Sequence, residues 1–86
     1  MATRRGISKT LNSADHRAFC ALTIETREKA GLTQHQLARM LRKPQSFVAK
    51  YEGGERRVDV VEFVSIARAM GSDPVSLLRA LIRQNS

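Results

Sequence analysis

Apolar residues recur at helical spacing in five segments, and no segment alternates apolar and polar residues as a strand would. The first predicted helix starts with Ser13 as N-cap and reaches about Ala30, where Gly31 supplies a C-terminal stop. Its apolar stripe is moderate and comprises Ala18, Phe19, Leu22, Ile24 and Ala30. The pattern predicts an all-α chain.

The second predicted helix has a stronger start signal. Thr33 and Gln36 have the spacing of a capping box, and Leu32 and Leu37 occupy the two positions of a hydrophobic staple. The helix should end near Leu41, after about two turns, so packing against other helices must stabilise it.

The third predicted helix covers about residues 44–52. Pro44 suits its first turn, because the missing amide proton has no partner there, and a glycine pair follows the helix. Phe47, Val48 and Tyr51 share one side of this helix and should face the core.

The fourth helix should begin after Asp59, with Glu62 completing a second capping box, and end at Gly71. It is apolar almost all round, through Val60, Val61, Phe63, Val64, Ile66, Ala67, Ala69 and Met70. Such a helix is usually central, so we expect it to be buried.

The fifth helix should begin at Asp73-Pro74 and reach about Arg83. One side carries Val75, Leu78, Leu81 and Ile82. This side is either a dimer surface or a face that packs on the core of its own domain, and the sequence does not separate the two.

The 86 residues suffice for one domain, predicted at 13–86, after a flexible basic arm at 1–12. A net charge of +7 favours a polyanionic partner, with nucleic acid ahead of an anionic membrane surface. The arm lacks an amphipathic pattern, and no apolar run approaches a membrane span of about 20 residues. We expect no membrane partner and a cytoplasmic protein, associated with the nucleoid when bound to DNA.

Candidate chemistry is scarce. Cys20 is the only cysteine, and His16 stands one helical turn before it, but a metal site needs three or four ligands. No nucleophile–base constellation, phosphate-binding glycine loop or carboxylate pair is visible. We therefore expect no metal, no cofactor, no small-molecule substrate and no enzyme activity.

Polar side chains cover the outer side of the third helix. Gln45, Ser46, Ala49 and Lys50 lie opposite its apolar residues and include no acid. Amide, hydroxyl and ammonium groups can bind base edges, although a solvated face has the same composition. The candidate phosphate contacts around this helix are Thr33, Gln34, Lys43, Arg56 and Arg57.

Residues 14–82 resemble the lambda-repressor-like (Cro/XRE-type) helix-turn-helix family. The matching positions are Gln34, Leu37-Ala38, Gln45-Ser46, Val48, Glu52 and Gly53. The resemblance implies a compact five-helix domain that contains a helix-turn-helix and binds double-stranded DNA.

The resemblance also implies residue roles. Gln34 would hold a phosphate, Gln45 and Ser46 would face base edges, and Lys50 would touch a base or a phosphate. Arg27 and Glu52 match a structural ion pair. Arg42 and Lys43 depart from the family pattern, which has glycine and often an apolar residue there, so Arg42 must adopt a left-handed backbone or bend the turn differently.

The predicted function is sequence-specific, repressor-like transcriptional regulation. A single short helix reads few bases, so a homodimer on a near-palindromic operator is expected. The alternative is an antitoxin-type protein that binds DNA and also neutralises a partner protein, the toxin.

Overall fold

The computed structural model describes residues 13–84, and the predicted arm at residues 1–12 lies outside this range. Within it the chain forms five helices and no strand. These are α1 (Ala14–Lys29), α2 (Gln34–Leu41), α3 (Gln45–Glu52), α4 (Val60–Ala69) and α5 (Pro74–Gln84). The predicted all-α, five-helix fold is therefore confirmed.

Local capping determines most helix boundaries. Ser13 accepts from the amide of His16 at the start of α1, and Gly31, with φ of +76°, follows its end. Both predicted capping boxes are present, at the N-terminal ends of α2 and α4. These side chains bond amides that have no partner inside the helix, which explains why the starts could be predicted.

The core lies where the helices meet. Helix α3 packs against α1 and α2, α4 packs against α2 and α5, and α5 also packs against α1. The buried side chains of the core are Leu22, Leu37, Ala38, Phe47, Val48, Tyr51, Ile66, Ala67, Met70 and Leu77. The predicted inner face of α3 is thus confirmed, and α3 is attached to the domain through that face.

The turn between α2 and α3 is closed by a left-handed residue. Arg42 has φ of 58° and ψ of 42°, and the amide of the next residue, Lys43, donates to Ala38 O at 3.0 Å. The structure therefore adopts the first of the two conformations that the sequence allowed for Arg42. This short turn lets α3 cross α2 closely.

Three expectations about the helices need correction. Pro44 occupies the N-cap position with extended ψ of 154°, so α3 begins one residue later than predicted. Val60 and Val61 are 77% and 76% exposed rather than buried, because they lie in the first turn of α4, outside its packed face. Ala30 is also exposed, and the most buried residue of α1 is instead Thr23, which is 1% exposed.

Candidate nucleic-acid interface

The outer side of α3 remains accessible because its apolar side is packed on the core. Ser46 and Lys50 are exposed, and Gln45 and Ala49 are half-buried. All four predicted base-contact residues therefore lie on one helix of eight residues. A short helix that presents its first turn in this way has the geometry of a helix that enters the major groove.

A chain of hydrogen bonds connects the first residue of α3 to the interior. Gln45 Nε2 donates to Gln34 Oε1 at 2.7 Å, and Gln34 Nε2 donates to Glu52 Oε1 at 2.9 Å. Arg27 donates to both carboxylate oxygens of Glu52, at 2.7 and 3.1 Å. We call these four residues the Arg27–Gln45 chain.

The buried end of this chain is an ion pair between α1 and α3. Only 11% of the Arg27 side chain and 4% of the Glu52 side chain are exposed. The bonds to Glu52 raise the pKa of Arg27, and Arg27 also donates to Leu32 O at 2.8 Å. A buried, bidentate pair of this kind holds the carboxylate in one orientation. Gln34 and Glu52 had unrelated roles in the sequence analysis. In the structure Gln34 bonds both Glu52 and Gln45 and so connects them.

Two predicted phosphate-contact residues lie over the ring of Phe47. Lys43 Nζ is 5.4 Å and the Arg56 guanidinium carbon 4.7 Å from the ring centroid. Arg56 also donates to both carboxylate oxygens of Glu62, at 3.0 and 2.9 Å. These bonds are the main reason why the pKa of Glu62 falls to about 2, and a bond from the Asp59 amide adds to them. The sequence did not predict this pair.

The other two flanking residues differ in their surroundings. Thr33 is exposed, and its hydroxyl accepts from the amide of Gln36 as the cap of α2. Arg57 is exposed, and its carbonyl accepts from Arg56 Nη1 at 2.7 Å. Together with Lys43 and Arg56, these residues place hydrogen-bond donors on both flanks of α3.

Metal-binding chemistry is not assembled in residues 13–84, where no three His, Cys, Asp or Glu side chains converge. Cys20 Sγ lies 3.8 Å from His16 Nε2 and donates to Tyr51 O at 3.3 Å. Burial raises the pKa of this thiol, which disfavours the thiolate that would bind a metal. None of the described helices is long and apolar enough to cross a membrane.

A second accessible surface is apolar. Its exposed members are Val60, Val61, Val75, Leu78 and Ile82. Two of them, Val60 and Leu78, line a groove between α4, α5 and α1. The other apolar residues that line this groove are Phe19, Val58, Phe63 and Leu81. We call this the α4–α5 apolar surface. The predicted side of α5 is therefore mostly exposed, with Leu81 half-buried against the core.

Comparison with known proteins agrees with this geometry. A family model described as Helix-turn-helix matches residues 24–77, more than half of the chain. The chain belongs to the XRE-type helix-turn-helix family of DNA-binding transcription regulators. No curated protein matches the chain.

Several solved structures are similar to this chain. An XRE-family like protein from Pseudomonas syringae pv. tomato is 43% identical over 94% of this chain and 99% of its own, with a TM-score of 0.83. The restriction-modification controller protein C.AhdI from Aeromonas hydrophila is 32% identical over 76% of this chain and 98% of its own, with a TM-score of 0.70. The clp gene regulator ClgR from Corynebacterium glutamicum is 21% identical over 84% of this chain and 77% of its own, with a TM-score of 0.74, and shares the fold.

Proposed function

We propose that this protein is a sequence-specific regulator that binds double-stranded DNA with α3 in the major groove. The observation that carries the proposal is the division of α3 into a buried apolar face and an outer face with amide, hydroxyl and ammonium groups and no acid. Cationic residues also stand on both sides of this helix in the sequence, with Lys43 before it and Arg56 and Arg57 after it, as phosphate contacts would require. The net charge of +7 supplies the attraction for DNA.

In this proposal each outer residue of α3 has a distinct role. Gln45 pairs with an adenine edge, Ser46 bonds a base or phosphate oxygen, and Lys50 donates to guanine or to a phosphate. Ala49 offers only a methyl group, which suits contact with a thymine methyl.

Five flanking residues would contact phosphates: Thr33, Gln34, Lys43, Arg56 and Arg57. Gln34 uses one amide hydrogen on Glu52 and retains a second for a phosphate oxygen. These contacts set affinity and register, whereas the outer face of α3 sets sequence preference.

We further propose that the protein acts as a homodimer that pairs through the α4–α5 apolar surface. An exposed apolar cluster on a small protein usually marks an interface, and two copies would present two α3 helices to successive major grooves. A dimer over two adjacent grooves would occlude a promoter that contains its operator, which is why we propose repression. The place of action would be the nucleoid.

The experiment that tests this function is selection from a random duplex DNA pool, followed by binding of the recovered sites across a salt series. We expect a two-fold motif with half-sites about one helical turn apart and affinity that falls with salt. Salt-dependent binding without any enriched motif would contradict sequence-specific recognition.

The α4–α5 apolar surface also supports the second candidate, an antitoxin-type protein, because the same surface could bind a partner protein. Purification from the native cells distinguishes the two. A second small polypeptide in fixed ratio would favour the antitoxin, whereas a homodimer that binds the selected DNA alone would favour the regulator.

A further inference from the structure

We propose that Glu62 positions the Arg56 guanidinium for DNA binding, so that its free edge bonds one phosphate of each half-site through two parallel N–H groups. The inference rests on the proposed function, in which Arg56 contacts a phosphate, and adds the atoms that make the contact. Glu62 is then a positioning residue, because it acts through Arg56 and need not touch DNA.

The five N–H donors of Arg56 are divided between two acceptor residues and a free edge. Nη1 donates to Glu62 Oε1 at 3.0 Å and to Arg57 O at 2.7 Å, so both of its hydrogens are used. Nη2 donates to Glu62 Oε2 at 2.9 Å and keeps one hydrogen. The remaining donors are Nε–H and the second Nη2–H, and neither has an acceptor within residues 13–84. These two groups point the same way from one edge of the planar guanidinium, which is the arrangement that binds two phosphate oxygens.

Glu62 is itself held in one orientation. Its Oε1 accepts from the Asp59 amide at 3.0 Å, and Asp59 Oδ1 accepts from the Glu62 amide at 2.7 Å, as the capping box of α4. Because the pKa of Glu62 is about 2, its carboxylate is ionised at any pH suited to DNA binding. The carboxylate that pairs with Arg56 is therefore fixed relative to the backbone of α4.

A second contact restrains Arg56 from the side of α3. Its guanidinium carbon lies 4.7 Å from the centroid of the Phe47 ring. Phe47 is buried in the core and directly follows Ser46, one of the proposed base contacts. A phosphate bound by the free edge of Arg56 would thus lie at a set distance from the outer face of α3 and help to fix the register on DNA. An unrestrained arginine would lose its rotamer freedom on binding, which weakens a contact by about two- to twelvefold.

The opposite relation would be competition, in which the Glu62 carboxylate keeps Arg56 away from the phosphate. The two relations differ in sign. If Glu62 competes, its removal strengthens the contact between Arg56 and the phosphate, whereas if Glu62 positions Arg56, its removal weakens that contact. The geometry supports positioning, because the carboxylate occupies the end of the guanidinium and leaves the Nε edge for a second acceptor.

The test is a methylphosphonate scan of the operator recovered by selection. Each phosphate in turn is replaced by a neutral methylphosphonate, which lacks one of the two non-bridging oxygens, and the dissociation constant of the full-length protein is measured. The phosphate bound by Arg56 is the one at which this replacement weakens the wild type but not Arg56→Ala. For the wild type we expect a loss of about tenfold or more there, as for a hydrogen-bonded contact between charged groups.

Two variants separate position from charge. Glu62→Gln keeps an oxygen for the Asp59 amide, and so keeps the capping box, but offers Arg56 one acceptor instead of two. We expect the loss at the Arg56 phosphate to fall to about threefold or less, with the losses at other phosphates unchanged. Arg56→Lys keeps the charge without the planar fork, and its loss should fall as far. If Glu62→Gln fails to fold, as thermal melting would show, a loss in Arg56→Lys within about twofold of the wild type would by itself overturn the inference.

The matched control is Glu55→Gln, which removes the same charge from an exposed acid next to Arg56 in the sequence and should keep the wild-type loss. A Glu62→Gln loss within about twofold of the wild type, or larger than it, would contradict positioning while leaving DNA binding intact. A scan in which no phosphate depends on Arg56 would do the same. If selection enriches no motif, the proposed function itself fails, and the inference fails with it.

Discussion

Among single residues, Tyr51 combines deep burial with an unpaired polar atom. Its side chain is fully buried in the core, and its hydroxyl has no hydrogen-bond partner within residues 13–84. Burial also raises the pKa of this phenol. An unpaired buried hydroxyl costs about 1–3 kcal/mol, so we expect Tyr51→Phe to raise the free energy of unfolding by about 1 kcal/mol, measured by urea denaturation.

The control for Tyr51→Phe is Tyr51→Leu, which also loses the ring that packs edge-on against Phe47 at 5.4 Å between centroids and should destabilise the protein. A loss of about 1 kcal/mol in Tyr51→Phe would instead mean that a buried water bonds the hydroxyl.

Arg57 is the exposed residue next to Arg56, and in the proposed function it contacts a phosphate. We expect Arg57→Ala to weaken binding equally across sequences and to reduce the slope of log affinity against log salt by about one per protomer, because one phosphate contact releases about one counterion.

Arg79→Ala on α5 removes the same charge away from α3 and should change the slope little. An unchanged slope in Arg57→Ala would exclude the phosphate contact.

At the scale of elements, the residue that ends α2 has a strained backbone conformation. Arg42 has a positive φ of 58°, a conformation that costs a side-chain-bearing residue about 1–2 kcal/mol. Glycine adopts it freely but gains entropy in the unfolded chain, so we expect Arg42→Gly to stabilise the protein by about 0.5 kcal/mol, measured by thermal melting.

Arg39→Gly is the matched control, because this exposed residue lies inside α2 with helical backbone. It should lose about 1 kcal/mol. Destabilisation by Arg42→Gly would show that the Arg42 side chain stabilises the turn more than its backbone strains it.

Glu62, in the first turn of α4, should make the free energy of unfolding depend on pH. The pKa of Glu62 is about 2 in the folded protein against an ordinary value of 4.5, so its contribution is complete above about pH 5 and is lost as the pH falls toward 2. The Arg56 side chain is 40% exposed, so solvent screening keeps this contribution small. We expect unfolding measurements to show a smaller loss between pH 5 and 2 in Glu62→Gln than in the wild type.

Glu55→Gln, which alters another exposed acid, should follow the wild-type curve. Parallel curves for Glu62→Gln and the wild type would mean that the ion pair contributes nothing in solution.

Helix boundaries could be predicted because capping is local. Thr33 and Gln36, like Asp59 and Glu62, stand three residues apart, and each box needs only that spacing. Apolar composition predicted burial wrongly at Val61, which is exposed. Whether a residue in the first turn of a helix is covered depends on where the other helices lie, and its own segment of sequence does not determine that. The left-handed turn at Arg42 could be predicted only as one of two alternatives, since tertiary packing selects between them.

The outer face of α3 could be predicted from helical spacing alone, but the Arg27–Gln45 chain could not. Gln34 and Gln45 form a hydrogen bond because α2 packs closely against α3. Glu52 bonds Gln34 because the same packing brings the last residue of α3 close to the first residue of α2. A sequence gives the chemistry of each side chain, whereas a directed chain of hydrogen bonds requires distances between helices.

At the scale of the whole molecule, the two accessible surfaces lie on different helices. The outer face of α3 carries the polar residues, while the α4–α5 apolar surface lies on helices that carry none of the proposed base contacts. In the proposed dimer, one copy would therefore bind DNA and a second copy at the same time. In a two-fold dimer both copies use the same surface, and each contact between two residues occurs twice, so one substitution changes the interface at two places.

Val61→Lys tests the dimer because Val61 is 76% exposed and its replacement should leave the core intact. The substitution would bury one lysine charge from each copy in the proposed apolar interface, so sedimentation should shift from about twice 9.6 kDa toward the monomer. Affinity for the selected operator should fall by tenfold or more, since one protomer holds only one half-site. The added positive charge favours DNA, so charge cannot explain such a loss. Met40→Lys, which changes an apolar residue 55% exposed on α2, should leave the mass unchanged, and a dimer that persists in Val61→Lys would place the interface elsewhere.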